Sequence, residues 1–419
     1  MEETGWYFGE LSLISRQLKI LFLLTQDLES PSGLGRYWPL AHALATKGHH
    51  VRIAALHSSW EDLSNRKFIS DGVEIEYVAP MHIKKSNNRK YYYSPFKLLA
   101  VALRATWALS RAAISAPVDI IHIGKPHPMN SLAGLFASMI KDTRFCVDCD
   151  DYEAESNRFE KRWQKTGVTF FENRIPRIAR LVTTNTNFMK SKLIQWGCSP
   201  DRILYLSNGV DVQRYPTPNP DEINKLRSEL GLGNKQTVLY LGSLSLPSHP
   251  VDLLLEAFVF VCQKFPDTAL LLVGGGEDYL KLKDKAKGLG IDQVTIFTGR
   301  IQPQKVPLYY ALADVSVDPV YDNDAAKGRS PLKLFESWVC GVPFVTAPVG
   351  DRQFILGEPP AGILSQRAGD PKSLAESIIE ILVSKNLARE LCIRGKERVK
   401  AYTWDRLATQ LEQEYQKIL

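Results

Sequence analysis

The sequence predicts an α/β protein of two Rossmann-like, doubly wound domains facing each other across a cleft. Three observations carry this expectation. The chain has 419 residues, more than one ordinary hydrophobic core takes in. Apolar runs of strand length alternate with amphipathic stretches of helical period through both halves. Between the halves, LSNGVDVQRYPTPNP (206–220) carries Asn208-Gly209, three prolines and no helical pattern, and reads as a linker. The expected division is 1–210 for the first domain and 211–402 for the second.

In the first half, LKILFLLT (18–25) is a continuous apolar run bounded by polar residues, hence a buried strand. The loop QDLESPSGLGR leads into an amphipathic helix, YWPLAHALATKG. HHVRIAAL and VEIEYVAP are the next strands. VDIIHIG (118–124), RFCVDCD (144–150) and RLVTTN (180–185) complete a parallel set. The alternation restarts with TVLYLG (237–242), the helix VDLLLEAFVFVCQKF and the strand ALLLVGGG (269–276), which runs into glycines. VTIFTG (294–299), VSVDPV (315–320) and PFVTA (343–347) are further strands. The closing stretch is helical, with a break around Tyr402-Thr403-Trp404. Ligands of such sheets sit at the carboxyl ends of the strands.

The apolar fraction of 44% and charged fraction of 23% fit a folded globular chain. The formal charge of +6 hints at anionic partners without calling for nucleic acid. No apolar run reaches membrane-spanning length; FKLLAVALRATWALSRAA is broken by Lys97, Arg104 and Arg111. The start, MEETGWYFGELSLISRQLK, lacks the uninterrupted apolar core of a secretory signal. Cys146 and Cys149 form a CxxC with no second pair or nearby histidine, so all six cysteines are expected as reduced thiols of a cytoplasmic protein, with no metal.

Several groups carry chemistry. Gly33 and Gly35 lie between the first strand and helix, where a backbone approaches a ligand or simply turns. VGGG (273–276) has the same character. DCDD (148–151) offers an Asp-x-Asp that would hold Mg²⁺ or, as the plainer alternative, carboxylates at a strand end with Asp150 or Asp151 capping the next segment. His122 and His127 flank IGKP; His127, in the loop, is the better cleft candidate for acid/base or hydrogen-bonding work. In GRSPLKLFESWVCGVPFVT (328–346), Ser330 reads as an N-cap and Pro331 as the first helical turn. Lys333 and Glu336 then share one face. With Lys327 and Arg329 beside it, this helix start reads as a seat for a nucleotide diphosphate, Glu336 taking the ribose hydroxyls.

On these residues the chain resembles family 4-type retaining glycosyltransferases of the GT-B fold. GLGRYWPLAHALATKGHHV, DRILYLSNGVDVQRY, YLGSLSLPSHPVDLLLEAF, FTGRIQPQKVPLYYALADVSVDPV and SPLKLFESWVCGVPFVT carry the resemblance, and a subset with SPLKLFE helices is nearer still. YTWDRLATQLEQEY resembles the terminal helix that crosses back to the first domain, so 403–419 joins 1–210. The resemblance implies transfer of a sugar from a nucleotide diphosphate sugar with retention, no cofactor and no metal. It places Glu336 on the donor ribose, the Leu332 amide at the diphosphate, and Arg300 and Ile301 beside the base. It names no base; His127 and Lys333 are the catalytic candidates. Three departures stand out: Gly328 replaces the first acid of E-x7-E, Ser243 replaces a phosphate-binding Arg, and His249 is nearest the position of a Lys. A catalytically silent scaffold binding a partner transferase or a nucleotide is the alternative. The expected acceptor is a glycan or lipid-linked molecule of surface polysaccharide or glycolipid assembly. Residues 84–111, basic and aromatic, are expected to meet an anionic inner-membrane surface.

Overall fold

The computed structural model describes residues 16–86, 89–159 and 161–419; for 85, 86 and 89–92 it describes the backbone only. Residues 1–15, which hold most of the sequence read for a signal, lie outside the described residues.

The strands are β1 (Lys19–Leu24), β2 (His50–His57), β3 (Lys67–Ser70), β4 (Val73–Pro80), β5 (Ile83–Ser86), β6 (Arg89–Tyr92), β7 (Ile120–Gly124), β8 (Arg144–Cys149), β9 (Leu181–Thr184) and β10 (Ile203–Tyr205) in the first half. The second half holds β11 (Gln236–Leu241), β12 (Thr268–Val273), β13 (Thr295–Gly299), β14 (Val315–Val317), β15 (Phe344–Thr346) and β16 (Ile363–Leu364). The first sheet has the order β10-β9-β8-β7-β1-β2-β4-β3 and is parallel except for the edge strand β3. The second, β13-β12-β11-β14-β15-β16, is parallel throughout. Both sheets are GT-B-type Rossmann layers whose central strands are buried on both faces, which is why they read as unbroken apolar runs.

Chain order reverses between β1 and β7 in one sheet and between β11 and β14 in the other. These switch points open crevices at the strands' carboxyl ends. The expected crossing of the last helix is present. Trp404–Ile418 sets Trp404, Leu407, Ala408, Leu411 and Tyr415 into the core beneath β1 and the helix Trp38–Thr46. Val210 pairs with Thr403 where the linker and this helix meet.

Some elements escape the periodicity. β3 is only four residues long, and the β5–β6 hairpin is short and rich in charge. VSVDPV stops as a strand at Val317, since Pro319 has no N–H for a ladder.

Candidate active site

The first domain's cleft wall forms past β1, β7 and β8. Beyond β7, Lys125 takes a left-handed backbone, φ +64°. That conformation disfavours a residue with a Cβ by about 1–2 kcal/mol, and contacts must hold it. Its ammonium lies 3.0 Å from Asp150 Oδ1, 2.6 Å from Asp151 Oδ2 and 2.5 Å from Glu153 Oε1. Glu153 Oε2 is 3.0 Å from His127 Nε2, and His127 Nδ1 is 2.7 Å from Thr25 Oγ1. Burial, reinforced by Asp151 and Asp148 against the pull of Lys125, pushes the Asp150 carboxyl up to about 7. Burial also opposes ionisation of Glu153, but Lys125 and His127 outweigh it and hold that carboxyl well below the usual range. Behind them, Glu172 accepts the N–H groups of Glu153 and Ala154 at 2.7 and 3.3 Å. Burial, with Glu153 beside it, raises Glu172 to about 8.

Deeper in, Arg36 forks onto Asp148 with two bonds of 2.7 Å and reaches Asn208 Oδ1 at 2.9 Å. Asn208 Nδ2 donates to the Ser330 carbonyl at 2.9 Å. Side chains thus tie β8 through the linker to the segment that opens the second domain's site helix, Leu332–Val339.

The second wall forms past β11 and β14. Asp318, the first residue beyond β14, accepts Lys333 Nζ at 2.9 Å on one oxygen and Arg352 Nε and Nη2 at 3.0 and 2.9 Å on the other. Arg329 donates to the Ser248 carbonyl. Burial lowers the Lys333 and Arg329 pKa values, with Asp318 pulling the other way. Burial disfavours ionised Asp318, yet Lys333, Arg352 and Arg329 outweigh it and hold it far below its usual range. Two cations therefore pair with one carboxylate at a helix N-terminus, with Arg329 close enough to act on it, and the helix dipole adds further positive potential.

Several expectations shift. Lys333 and Glu336 are not a pair: Glu336 takes Tyr215 Oη at 2.8 Å and Tyr310 Oη at 3.1 Å, while Lys333 goes to Asp318. The helix is capped by Pro331, one residue later than Ser330, whose carbonyl is engaged by Asn208. Leu332 is half-buried, and a Cβ on Gly35 would lie 2.3 Å from its Cδ1, so Gly35 answers to the opposite domain. Gly33 is required by its own loop, a Cβ there meeting the Asp27 carbonyl at 2.1 Å. In VGGG, Gly274 and Gly276 admit the backbone of Gly242 and Leu244. Lys327 pairs with Asp322 at 2.8 Å. Arg300 is exposed and Ile301 half-buried. In DCDD, Asp148 serves Arg36, and Lys125 supplies the positive charge beside Asp150 and Asp151; Tyr152, without a side-chain bond, caps the next helix. His122 is a core residue, its Nδ1 2.6 Å from Tyr415 Oη and its Nε2 buried without a hydrogen-bond partner. Cys146 and Cys149 are buried thiols. Gly328 has a tertiary cause, since a Cβ there would stand 2.9 Å from Tyr152 Cβ of the first domain.

Sequence reading missed Asp318, Arg352 and Lys125. Asp318 and Lys125 had a usable signal, a charged residue directly after a buried strand. Arg352 had none.

Two Rossmann-like domains with ligand crevices apposed at their switch points define a GT-B protein. Residues 32–209 match the family model described as glycosyl transferase 4-like domain, and residues 235–384 match that described as glycosyl transferases group 1. The chain belongs to the GT4-like glycosyltransferases. It is 27% identical over 231 residues to a GDP-mannose-dependent α-(1-6)-phosphatidylinositol monomannoside mannosyltransferase of Mycolicibacterium smegmatis, covering 53% of this chain and 58% of that relative, less than two thirds of its length. Sucrose-phosphate synthase from Thermosynechococcus elongatus superposes with a TM-score of 0.76 at 20% identity, over 96% of this chain and 99% of that one. HepE of Anabaena, in complex with UDP and glucose, gives 0.71 at 20% identity over 95% and 99%.

Proposed function

We propose that this chain moves a sugar from a nucleotide diphosphate sugar to a glycan or lipid-linked acceptor, with retention and without a metal, in surface polysaccharide or glycolipid assembly. The observation that carries this is the cation excess of Arg329, Lys333 and Arg352 over Asp318 at the cleft end of β14. A diphosphate supplies the missing negative charge, and the same cations stabilise it as it departs. The geometry also accounts for the departures at Ser243 and His249. Arg329 reaches the Ser248 carbonyl, and Lys333 Cε lies 3.5 Å from where a Gly242 Cβ would stand. Two cations thus enter the corner beside that loop from the opposite side. Glu336, held by two phenols, keeps lone pairs for ribose hydroxyls, with Arg300 and Ile301 at the base and the Leu332 amide at the diphosphate. Thr25, His127 and Glu153 form a polar chain that orients an acceptor hydroxyl. The work takes place at the cytoplasmic membrane face.

The test is a thermal-shift screen against UDP, GDP, ADP and their sugars, followed by a transfer assay with the sugar that shifts most. No shift with any nucleotide overturns the reading. Binding without transfer or hydrolysis favours the scaffold alternative, which the exclusion of an acid at Gly328 by Tyr152 supports.

A further inference from the structure

Three helices, Pro95–Ile114, Pro128–Lys141 and Arg162–Ile178, lie side by side over one face of the first sheet. Their inward sides bury Ala105, Leu109, Ala133, Ala137 and Ile175 in one core. Their outward sides are unusual for a protein surface. On the first helix Phe96, Leu99, Leu103 and Trp107 recur three or four residues apart, a second apolar stripe opposite the core. Phe96 is 89% exposed, and Leu103 and Trp107 are each 63% exposed. Phe136, Met139 and Ile140 extend the patch on the second helix, and Trp163, Phe170 and Ile178 on the third. Exposed apolar groups gathered in this way mark an interaction surface.

Charge selects the partner. Lys97, Arg104, Arg111, Arg162, Arg174 and Arg177 are exposed on the same helices. The first two helices contain no Asp or Glu, and the third has only Glu172, which is buried. Arg111 lies 5.7 Å from the Trp107 ring centroid and Arg174 5.8 Å from that of Phe170, so cation and aromatic are interleaved. A second copy of this face would repel it, as would a basic protein.

We infer that this three-helix face docks on an anionic phospholipid bilayer, its apolar side chains entering the headgroup–acyl boundary and its cations meeting lipid phosphates. The surface shares its first helix with the expected one, residues 84–111, and extends it onto the second and third helices; the side chains of Lys85, Arg89 and Lys90 lie outside the described residues. Topology links it to the cleft. The first helix leaves the carboxyl end of the sheet after β4 and ends ahead of β7, so Phe96 and Lys97 stand at the cleft end. The second helix begins beside His127. A lipid-linked acceptor held in the bilayer therefore has a short path to the polar wall. The docking surface itself does not rest on the catalytic reading.

The experiment is cosedimentation of the full chain with vesicles of phosphatidylcholine containing phosphatidylglycerol, against phosphatidylcholine alone, with light scattering for oligomeric state. The wild type should pellet with anionic vesicles and keep part of its binding at high salt. Leu103→Ser/Trp107→Ser should lose more than about tenfold in partitioning. Arg104→Gln/Arg111→Gln should lose about fivefold per charge at low salt. All four positions are exposed, and a circular dichroism melt confirms that the variants fold. Three outcomes overturn the inference: wild type remaining in the supernatant, the apolar variant pelleting equally, or concentration-dependent dimers abolished by the same substitutions without vesicle binding.

Discussion

The two walls of the cleft are built on the same plan with opposite sign. On the first, one cation, Lys125, stands among Asp150, Asp151 and Glu153. On the second, one carboxylate, Asp318, stands among Lys333, Arg352 and Arg329. Each cluster is buried but for one half-buried member, Asp151 in the first and Arg329 in the second, and each leaves charge over. The difference lies in how the surplus is relieved. Carboxylates shed charge by protonation, as Asp150 does at about 7. Arginines have no such route at ordinary pH, so the second wall keeps its positive charge. On the function proposed above, the first wall takes uncharged hydroxyls and the second a diphosphate.

Removing each cluster's minority charge should break the symmetry most clearly. Taking one partner from a buried ion pair costs about 3–5 kcal/mol, and both Lys125→Met and Asp318→Asn should lose stability on that scale in denaturant melts. Their rescue should differ. The Lys125→Met deficit should shrink as pH falls from 8 to 5, because the orphaned carboxylates protonate. The Asp318→Asn deficit should persist across that range but shrink when a nucleoside diphosphate is added, more than the wild type gains. If acid rescues both, or the diphosphate helps neither, the two walls do not differ as described.

Within the second wall, Lys333→Met should weaken a nucleoside diphosphate far more than the bare nucleoside, whereas Glu336→Ala should weaken both alike. A bond to a charged group contributes about 1.5–3 kcal/mol, or roughly tenfold to a hundred and fifty-fold in affinity. Calorimetric titration of both ligands against both variants decides it. Equal losses for Lys333→Met would point to a packing defect, since its ammonium also anchors Asp318.

This contrast was partly legible in the sequence. The strands showed because both faces are buried, and the Leu332–Val339 helix because its cations precede an apolar stripe. The partners of those cations did not show. Arg352 and Asp318 are far apart in sequence and join only through the order β11-β14-β15. Arg36 and Asn208 likewise meet only because the linker returns beside the first helix. Gly328 read as a missing acid, and only the apposed Tyr152 supplies a steric cause. Local pattern reports burial and helix starts; it does not report which charges the fold will neutralise.

The smallest effect sharpens the acidic wall. Glu172 sits behind Glu153 with its pKa raised from 4.5 to about 8, chiefly by burial. Between those values the folded chain holds a proton that the unfolded chain has released, so stability should fall as pH rises through that window. Glu172→Gln removes the titration while keeping an acceptor for the Glu153 N–H. It gives up the second acceptor, which takes the Ala154 N–H at 3.3 Å, so the gain should fall short of the full linkage value. The variant should match the wild type near pH 5 and exceed it by about 1–2 kcal/mol near pH 8.5. No comparable slope should come from Asp318, which is already ionised throughout that range. Urea melts at several pH values measure the difference directly. A variant that is less stable at pH 8.5, or that keeps the wild-type slope, would place the titrating group elsewhere and remove Glu172 from the acidic wall's pH response.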